Sequence, residues 1–299
     1  MMNKWLLLLL LIFCWMAAGM TFFHSPADQD QADAPEPGDV KRIVSLAPNL
    51  TEILFTLGLD EEIVGVTLDS DYPPAARDKP NMGTFWQPNI EAVVAAKPDL
   101  VVTLGFPQQK DSARRLTRIG CNCLTVNIEK ISELFEATAK IAEATGKTAQ
   151  ARELASSLQS KLESLSTRLD KGEKTKVLWV IEQDPLRVAG RDTFVNELIE
   201  LAGGENAIGR TVHKYPPIGS EQVIACAPDV IIEPAMGSKT VSEQQKEALR
   251  YWNRFKNVPA VANERIYVIS PDTVCRLGPR LHQGVEIVAR CLKPQLFTD

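Results

Sequence analysis

The sequence predicts an α/β fold: two Rossmann-like lobes with parallel sheets, joined by one long backbone helix, with a ligand cleft between the lobes. Three observations carry this. Short apolar runs alternate with helical signals along the chain, the pattern of parallel strands covered on both faces. The segment 89–102 (NIEAVVAAKPDLVV) recurs without gaps 130 residues later as 219–232 (GSEQVIACAPDVII), which marks two related halves. Between them, residues 147–170 contain no Gly or Pro, and Leu154, Leu158, Leu162, Leu165 and Leu169 share one helical face.

The chain begins with 23 residues that hold a single charge, Lys4, ahead of an apolar run from Trp5 to Met16 and the small residues Ala17, Ala18 and Gly19. That is the pattern of an export signal peptide. Read on to Phe23, the run is 19 residues and long enough to remain as an N-terminal membrane anchor, a tether through residues 5–23. Cys14 raises lipid anchoring, but Phe13 precedes it where such a signal wants a small residue. Residues 24–40 read as a disordered acidic linker, with Asp28, Asp30, Asp33, Glu36 and Asp39, no Lys or Arg, and too few apolar groups to offset ordering entropy.

Of the formal net charge of −5, only −1 belongs to residues 41–299. This near-neutral remainder lacks the basic excess that phosphate binding requires, which argues against nucleic acid as a partner. The whole chain is 44% hydrophobic and 24% charged, a globular balance.

The N-terminal α/β lobe is read over 41–146. It opens on an apolar strand, 42–46. Asn49–Glu52 (NLTE) has the form of a capping box ahead of Ile53, Leu54 and Leu57, and Gly58 closes that helix. Residues 89–96 form a short helix ended by Pro98, and 100–104 a buried strand. A helix at 112–119 stops at Gly120, a strand follows at 124–126, and an amphipathic helix covers 131–145 up to Gly146. The connecting helix, 147–171, spans roughly 36 Å at 1.5 Å per residue, enough to cross a domain. The C-terminal α/β lobe, 172–299, then supplies a strand at 176–182, a helix at 193–202 before Gly203-Gly204, a strand at 266–270 and a helix at 279–292. A weaker match sets Thr51–Leu54 and Gly58 beside Asn196–Ile199 and Gly203.

Catalytic signatures are absent: there is no Gly-x-Ser-x-Gly, Gly-x-Gly-x-x-Gly or His-Glu-x-x-His, and no enzyme is expected. Gly146-Lys147-Thr148 ends like a phosphate-binding loop, but Ile141 occupies the place of its first glycine and a helix precedes it. The three histidines, His24, His213 and His282, are too few for a His-rich metal centre. Five cysteines follow the leader, Cys121, Cys123, Cys226, Cys275 and Cys291, and an odd number leaves at least one free. Cys121 and Cys123 point to one strand face, where packing explains them.

Each repeat offers an aromatic from an equivalent loop. Trp86 lies five residues before Glu91, and Tyr215 six before Glu221. Ligands of such sheets sit outside the carboxyl ends of the strands, so these loops should line the cleft. Glu91 and Glu221 fall in the first turns of their helices, where a carboxylate either caps free N–H groups or meets a partner with paired cationic sites.

Over residues 41–293 the sequence resembles the class of solute-binding proteins for cobalamin, haem and ferric siderophores served by ABC importers. The resemblance rests on Arg42–Pro48 (RIVSLAP), Thr51-Glu52, Ser70–Pro74 (SDYPP), Trp86-Gln87, Asn89–Glu91, Lys97–Leu100 (KPDL), Gly203–Asn206 (GGEN), Ser220–Val223 (SEQV) and Pro279-Arg280. It implies that Trp86 and Tyr215 pack on the ligand and that Asp272 and Arg276 stand at the cleft rim. It also implies that Glu91 and Glu221 dock onto arginines of the membrane subunits, and that the cleft closes only slightly. Asp69 replaces a tyrosine that touches corrin in cobalamin-binding members, and Leu186-Arg187 replaces a phenylalanine region. Ala202 stands where such members carry a cysteine paired with one at the position of Cys291, so that bridge cannot form. The implied protein is an exported monomer of the periplasm or outer face of the cytoplasmic membrane. It takes a corrinoid as transported ligand rather than as cofactor, and delivers it to an ABC importer. The alternative is a ferric siderophore or haem, for which Tyr215 or His213 offers an axial group.

Overall fold

The computed structural model describes residues 40–169 and 173–297. The expected export segment, the acidic linker except for Val40, and the last residues of the expected connecting helix lie outside the described residues. None of the described helices is long and apolar enough to cross a membrane.

Ile43–Ser45 (β1), Ile63–Val66 (β2), Leu100–Leu104 (β3) and Cys123–Val126 (β4) form a parallel sheet in the order β2-β1-β3-β4. Its helices are α1 (Pro48–Thr56), α2 (Ile90–Ala95), α3 (Pro107–Arg118) and α4 (Ile131–Thr145). Every residue of β3 is buried, because apolar clusters cover both faces of this sheet and leave no solvent side. Thr148–Leu169 (α5) leads to the second sheet. There Thr175–Gln183 (β5) is followed by Leu186–Val188 (β6), which runs antiparallel along the second half of β5. Gly204–Asn206 (β7), Val230–Pro234 (β8) and Ile266–Ile269 (β9) complete a parallel order β7-β5-β8-β9. The remaining helices are α6 (Phe194–Leu201), α7 (Ser220–Cys226), α8 (Val241–Trp252), α9 (Pro259–Ala262), α10 (Pro271–Val274) and α11 (Leu281–Leu292).

The repeat read from the sequence is a repeat of structure. Asp99 accepts the backbone N–H groups of Lys41 and Arg42 at 2.9 Å, and Asp229 accepts that of Lys176 at 2.9 Å, so each aspartate pins the start of the strand beside its own. Lys97 and Ala227, also 130 positions apart, both take left-handed backbone, with φ of 46° and 40°. The leucine stripe of α5 behaves as its spacing requires: Leu158, Leu165 and Leu169 are buried, while Leu154 and Leu162 are half-buried. The largest apolar cluster runs from Ile43 in β1 through α5 to Val285 in α11, so the two lobes share one core.

Two local expectations are corrected. The NLTE capping box does not form: Ala47 is the N-cap of α1, and Pro48, with its pre-set φ and missing N–H, takes the first helical position. Asn49 instead donates to the Leu277 carbonyl at 3.1 Å and Glu52 binds Arg280, both across to the other lobe. Helix α3 begins at Pro107, five residues before the expected start, because its first turns are polar and give no apolar period. Gln109 is nevertheless buried there, donating to the carbonyls of Leu46 and Phe85 at 2.8 Å. The strands β2, β6 and β7 and the helices α8 to α10 are not among the elements expected from the sequence. All five described cysteines are free, and Cys121 and Cys123 pack together against the Val44–Leu116 cluster.

Candidate ligand cleft

The carboxyl ends of the strands in both sheets open on a cavity of about 330 Å³ between the lobes. Pro48 and Asn49 after β1, Asp69 after β2, Leu104 at the end of β3 and Ile128 after β4 line it from the first lobe, with Phe85 and Trp86 from the loop before α2. Phe194, Cys275, Arg276 and Leu277 line it from the second. Its volume falls at the lower end for small-molecule sites, and its wall is mostly apolar with one cation and one carboxylate.

The Trp86 loop is tightly held. Its Phe85 N–H donates to Asp69 Oδ2 at 2.8 Å, the Gln87 N–H to Thr84 Oγ1 at 3.0 Å, and Gly83 takes φ of 90°. A Cβ at Gly83 would lie 2.5 Å from the Asn89 nitrogen, so only glycine fits. Phe85 and Trp86 meet edge to face at 4.9 Å, and Phe106 packs on both, at 5.2 and 6.1 Å. Trp86 is nonetheless 63% exposed, a ring backed by other rings and presented to the cavity.

Tyr215 is 37% exposed and does not line this cavity. It stands beside Cys275, which does; burial, then the nearby Cys275 and Glu129, pushes its phenol above the ordinary range and keeps it neutral. Its loop is held by Gly190 N–H donating to the Lys214 carbonyl at 2.8 Å, and by Lys214 reaching Glu129 of the first lobe at 2.5 Å. Lys130 pairs with Asp192 at 2.9 Å and the Ile131 N–H donates to Glu197 at 2.8 Å, so this side of the cleft is bridged three times.

An arginine pair closes the other side. Arg276 binds Asp71 at 2.5 Å, Asp272 at 3.2 Å and the Asp69 carbonyl at 3.2 Å. Arg280 holds Glu52 through two bonds of 2.6 and 2.9 Å and Asp272 through two of 2.6 and 2.9 Å, and lies 3.8 Å over the Tyr72 ring. Hydrogen bonds from Arg280 hold the Asp272 carboxyl below the usual carboxylate range. Burial pushes the Glu52 carboxyl up, against the pull of Arg280. Asp272 therefore organises two arginines and is not on the cavity wall, whereas Arg276 and Asp69 are. Thr51-Glu52 and Pro279-Arg280, two of the motifs that carry the resemblance, thus contain the pair that joins the lobes, a role their sequence does not disclose. Phe194, Phe106, Cys275 and the Glu129–Lys214 pair carried no signal beyond their residue types.

Glu91 and Glu221 are exposed, and neither side chain makes a hydrogen bond or ion pair among the described residues. The cap of α2 is Asn89, whose side chain accepts the Ala92 N–H at 3.0 Å. No cluster of three or more His, Cys, Asp or Glu that could hold a metal occurs among the described residues, and His213 is exposed.

Comparison with known proteins gives one pattern. Residues 43–273 match a family model described as periplasmic binding protein. An uncharacterised ABC transporter substrate-binding lipoprotein of Bacillus subtilis is 31% identical over 280 residues, covering 91% of this chain and 85% of its own. A vitamin B12-binding protein of Vibrio cholerae is 24% identical over 259 residues, covering 86% and 91%. A solved structure from Staphylococcus epidermidis, described as a possible iron-binding (periplasmic solute-binding) protein, superposes with a TM-score of 0.74 at 29% identity, covering 84% of this chain and 98% of that one.

Proposed function

The chain belongs to the periplasmic binding protein family, and on that premise we propose that it captures a corrinoid between its lobes and hands it to the permease of an ABC importer. It is an exported solute-binding protein of the class that serves cobalamin, haem and siderophore uptake, and its ligand is cargo. The observation that carries the corrinoid reading is the Trp86 ring, exposed on a backing of Phe85 and Phe106 at the wall of a mostly apolar cavity, a surface suited to a broad, flat ligand. Tyr215 extends that surface once the ligand reaches past Cys275. Arg276 and Asp69 supply the polar contacts, and Asp272 holds Arg276 in position at 3.2 Å. A second reading, a ferric siderophore or haem, draws on Arg276 as a cation for an anionic ligand and on the likeness to the structure described as a possible iron-binding protein. The protein works as a monomeric carrier without catalysis, tethered or released according to the fate of residues 5–23, and Glu91 and Glu221 are its contacts with the importer.

The test is titration of the purified protein with cobinamide, cobalamin, haem and a ferric siderophore, read by absorption and calorimetry, beside Trp86→Ala. Corrinoid binding with an affinity loss of about 1–3 kcal/mol in the variant is expected. Binding of an iron ligand alone selects the second reading. Wild-type affinity in Trp86→Ala removes the ring from the site.

A further inference from the structure

Away from the cleft, the outer flank of α3 carries charge that nothing in the fold uses. Lys110, Arg114 and Arg118 recur every four residues along it, and all three are exposed. None of their side chains has a hydrogen-bond or ion-pair partner among the described residues. They form one wall of a groove of about 520 Å³ whose other wall is Cys123 and Thr125 of β4, and no acid lines it. In a chain whose residues 41–299 sum to −1, that is a local concentration of cations and not a general basic surface.

The second wall is the open edge of a sheet. β4 pairs with β3 on one side and with no described strand on the other, so its outward N–H and C=O groups are available for pairing. A strand laid along that edge would present every second side chain to α3, at intervals of about 6.6 Å. Successive cations four residues apart on the helix rise by about 6 Å. The two periods match closely enough for carboxylates at alternate positions of a short strand to meet Lys110, Arg114 and Arg118 in turn.

We propose that this groove binds an extended acidic peptide segment of a partner protein, added as a strand to β4 with its carboxylates against α3. A bilayer of anionic lipid could meet the helix cations, but as a flat surface it would use neither the concavity nor the strand edge. Edge cations also discourage a sheet from pairing with copies of itself, and that role alone would leave the groove without a ligand.

The experiment uses the purified chain and a fluorescent acetyl-Thr-Asp-Thr-Asp-Thr-Asp-Thr-amide, followed by anisotropy at about 50 and 200 mM salt. The wild-type protein should bind it, more weakly at the higher salt, and Arg114→Gln with Arg118→Gln should weaken binding by about tenfold or more. The same peptide N-methylated at alternate amides keeps its charge but loses its strand donors, and it should not bind. An unfolding midpoint and a far-ultraviolet circular dichroism spectrum equal to wild type in the double variant establish that the fold is intact. The proposal is overturned by no binding of the peptide, by equal affinity in the double variant, by equal affinity of the methylated peptide, or by binding only to vesicles containing phosphatidylglycerol.

Discussion

Arg280 shows how a single side chain can join the two halves of this protein. Its guanidinium meets the Glu52 carboxylate in a two-bond geometry, with Glu52 only 3% exposed, and its remaining donor sites hold Asp272. A buried pair of this kind adds little over a well-packed apolar substitute, but removal of one partner strands the other charge in the interior. Arg280→Met should therefore lower stability by about 3–5 kcal/mol in urea unfolding, and Glu52→Met in the same chain should restore much of that loss. If the double variant is no more stable than the single, the cost lies in lost packing over Tyr72 and not in a stranded charge. Asp272 makes a separate forecast. Arg280 depresses its folded pKa below the ordinary 3.8, so the folded state binds its proton less readily than the unfolded chain does. Its contribution is present above the unfolded value and disappears as pH falls through the depressed one. Asp272→Asn should flatten the acid limb of the stability curve below about pH 4, measured as the urea midpoint against pH; an unchanged slope would place that acid sensitivity elsewhere.

At the scale of elements, the repeat predicts a strained residue in each lobe. Lys97 and Ala227 close α2 and α7 in left-handed backbone, where a β-carbon costs roughly 1 kcal/mol that glycine avoids. Ala227→Gly should accordingly raise stability by up to about 0.5 kcal/mol after the greater unfolded-state freedom of glycine is deducted, a reversal of the usual helix penalty; a loss in thermal unfolding would contradict it. The aspartate two residues on, at 99 and 229, fixes the turn that demands this conformation. That device was legible as a matched Pro-Asp in the sequence, because the same local hydrogen bond recurs wherever the same residues do. The NLTE box misled for the converse reason: Asn49 and Glu52 have cap-forming side chains, but their partners, Leu277 and Arg280, lie more than 200 residues away and no local pattern announces them. The early start of α3 was hidden likewise, since Gln109 is buried for its hydrogen bonds and gives no apolar signal. Trp86 could be found because it sits at a fixed offset from the repeat. Phe194 and Cys275 could not, since they reach the cavity only through the packing of the second lobe on the first.

At the scale of the whole molecule, a shared core and ionic bridges tie the two lobes together across the cleft. One apolar core crosses between them along α5, and ionic bridges flank the cavity at Glu129–Lys214, Lys130–Asp192 and Arg276–Asp71. Two acids, Glu91 and Glu221, occupy equivalent places on the two lobes, at the first turns of α2 and α7. As caps they would contribute a few tenths to about 1 kcal/mol of stability through the helix dipole, yet neither makes a capping hydrogen bond, and Asn89 already serves α2. Paired exposed carboxylates on a two-fold scaffold instead suit an importer with matching cations. Glu91→Gln with Glu221→Gln should thus leave unfolding midpoints and ligand affinity close to wild type while weakening binding to the reconstituted importer, by more than either change alone. The loss should shrink at high salt, where screening already weakens these rim charges in the wild type. Wild-type importer affinity in the double variant would return both residues to the dipoles of their own helices.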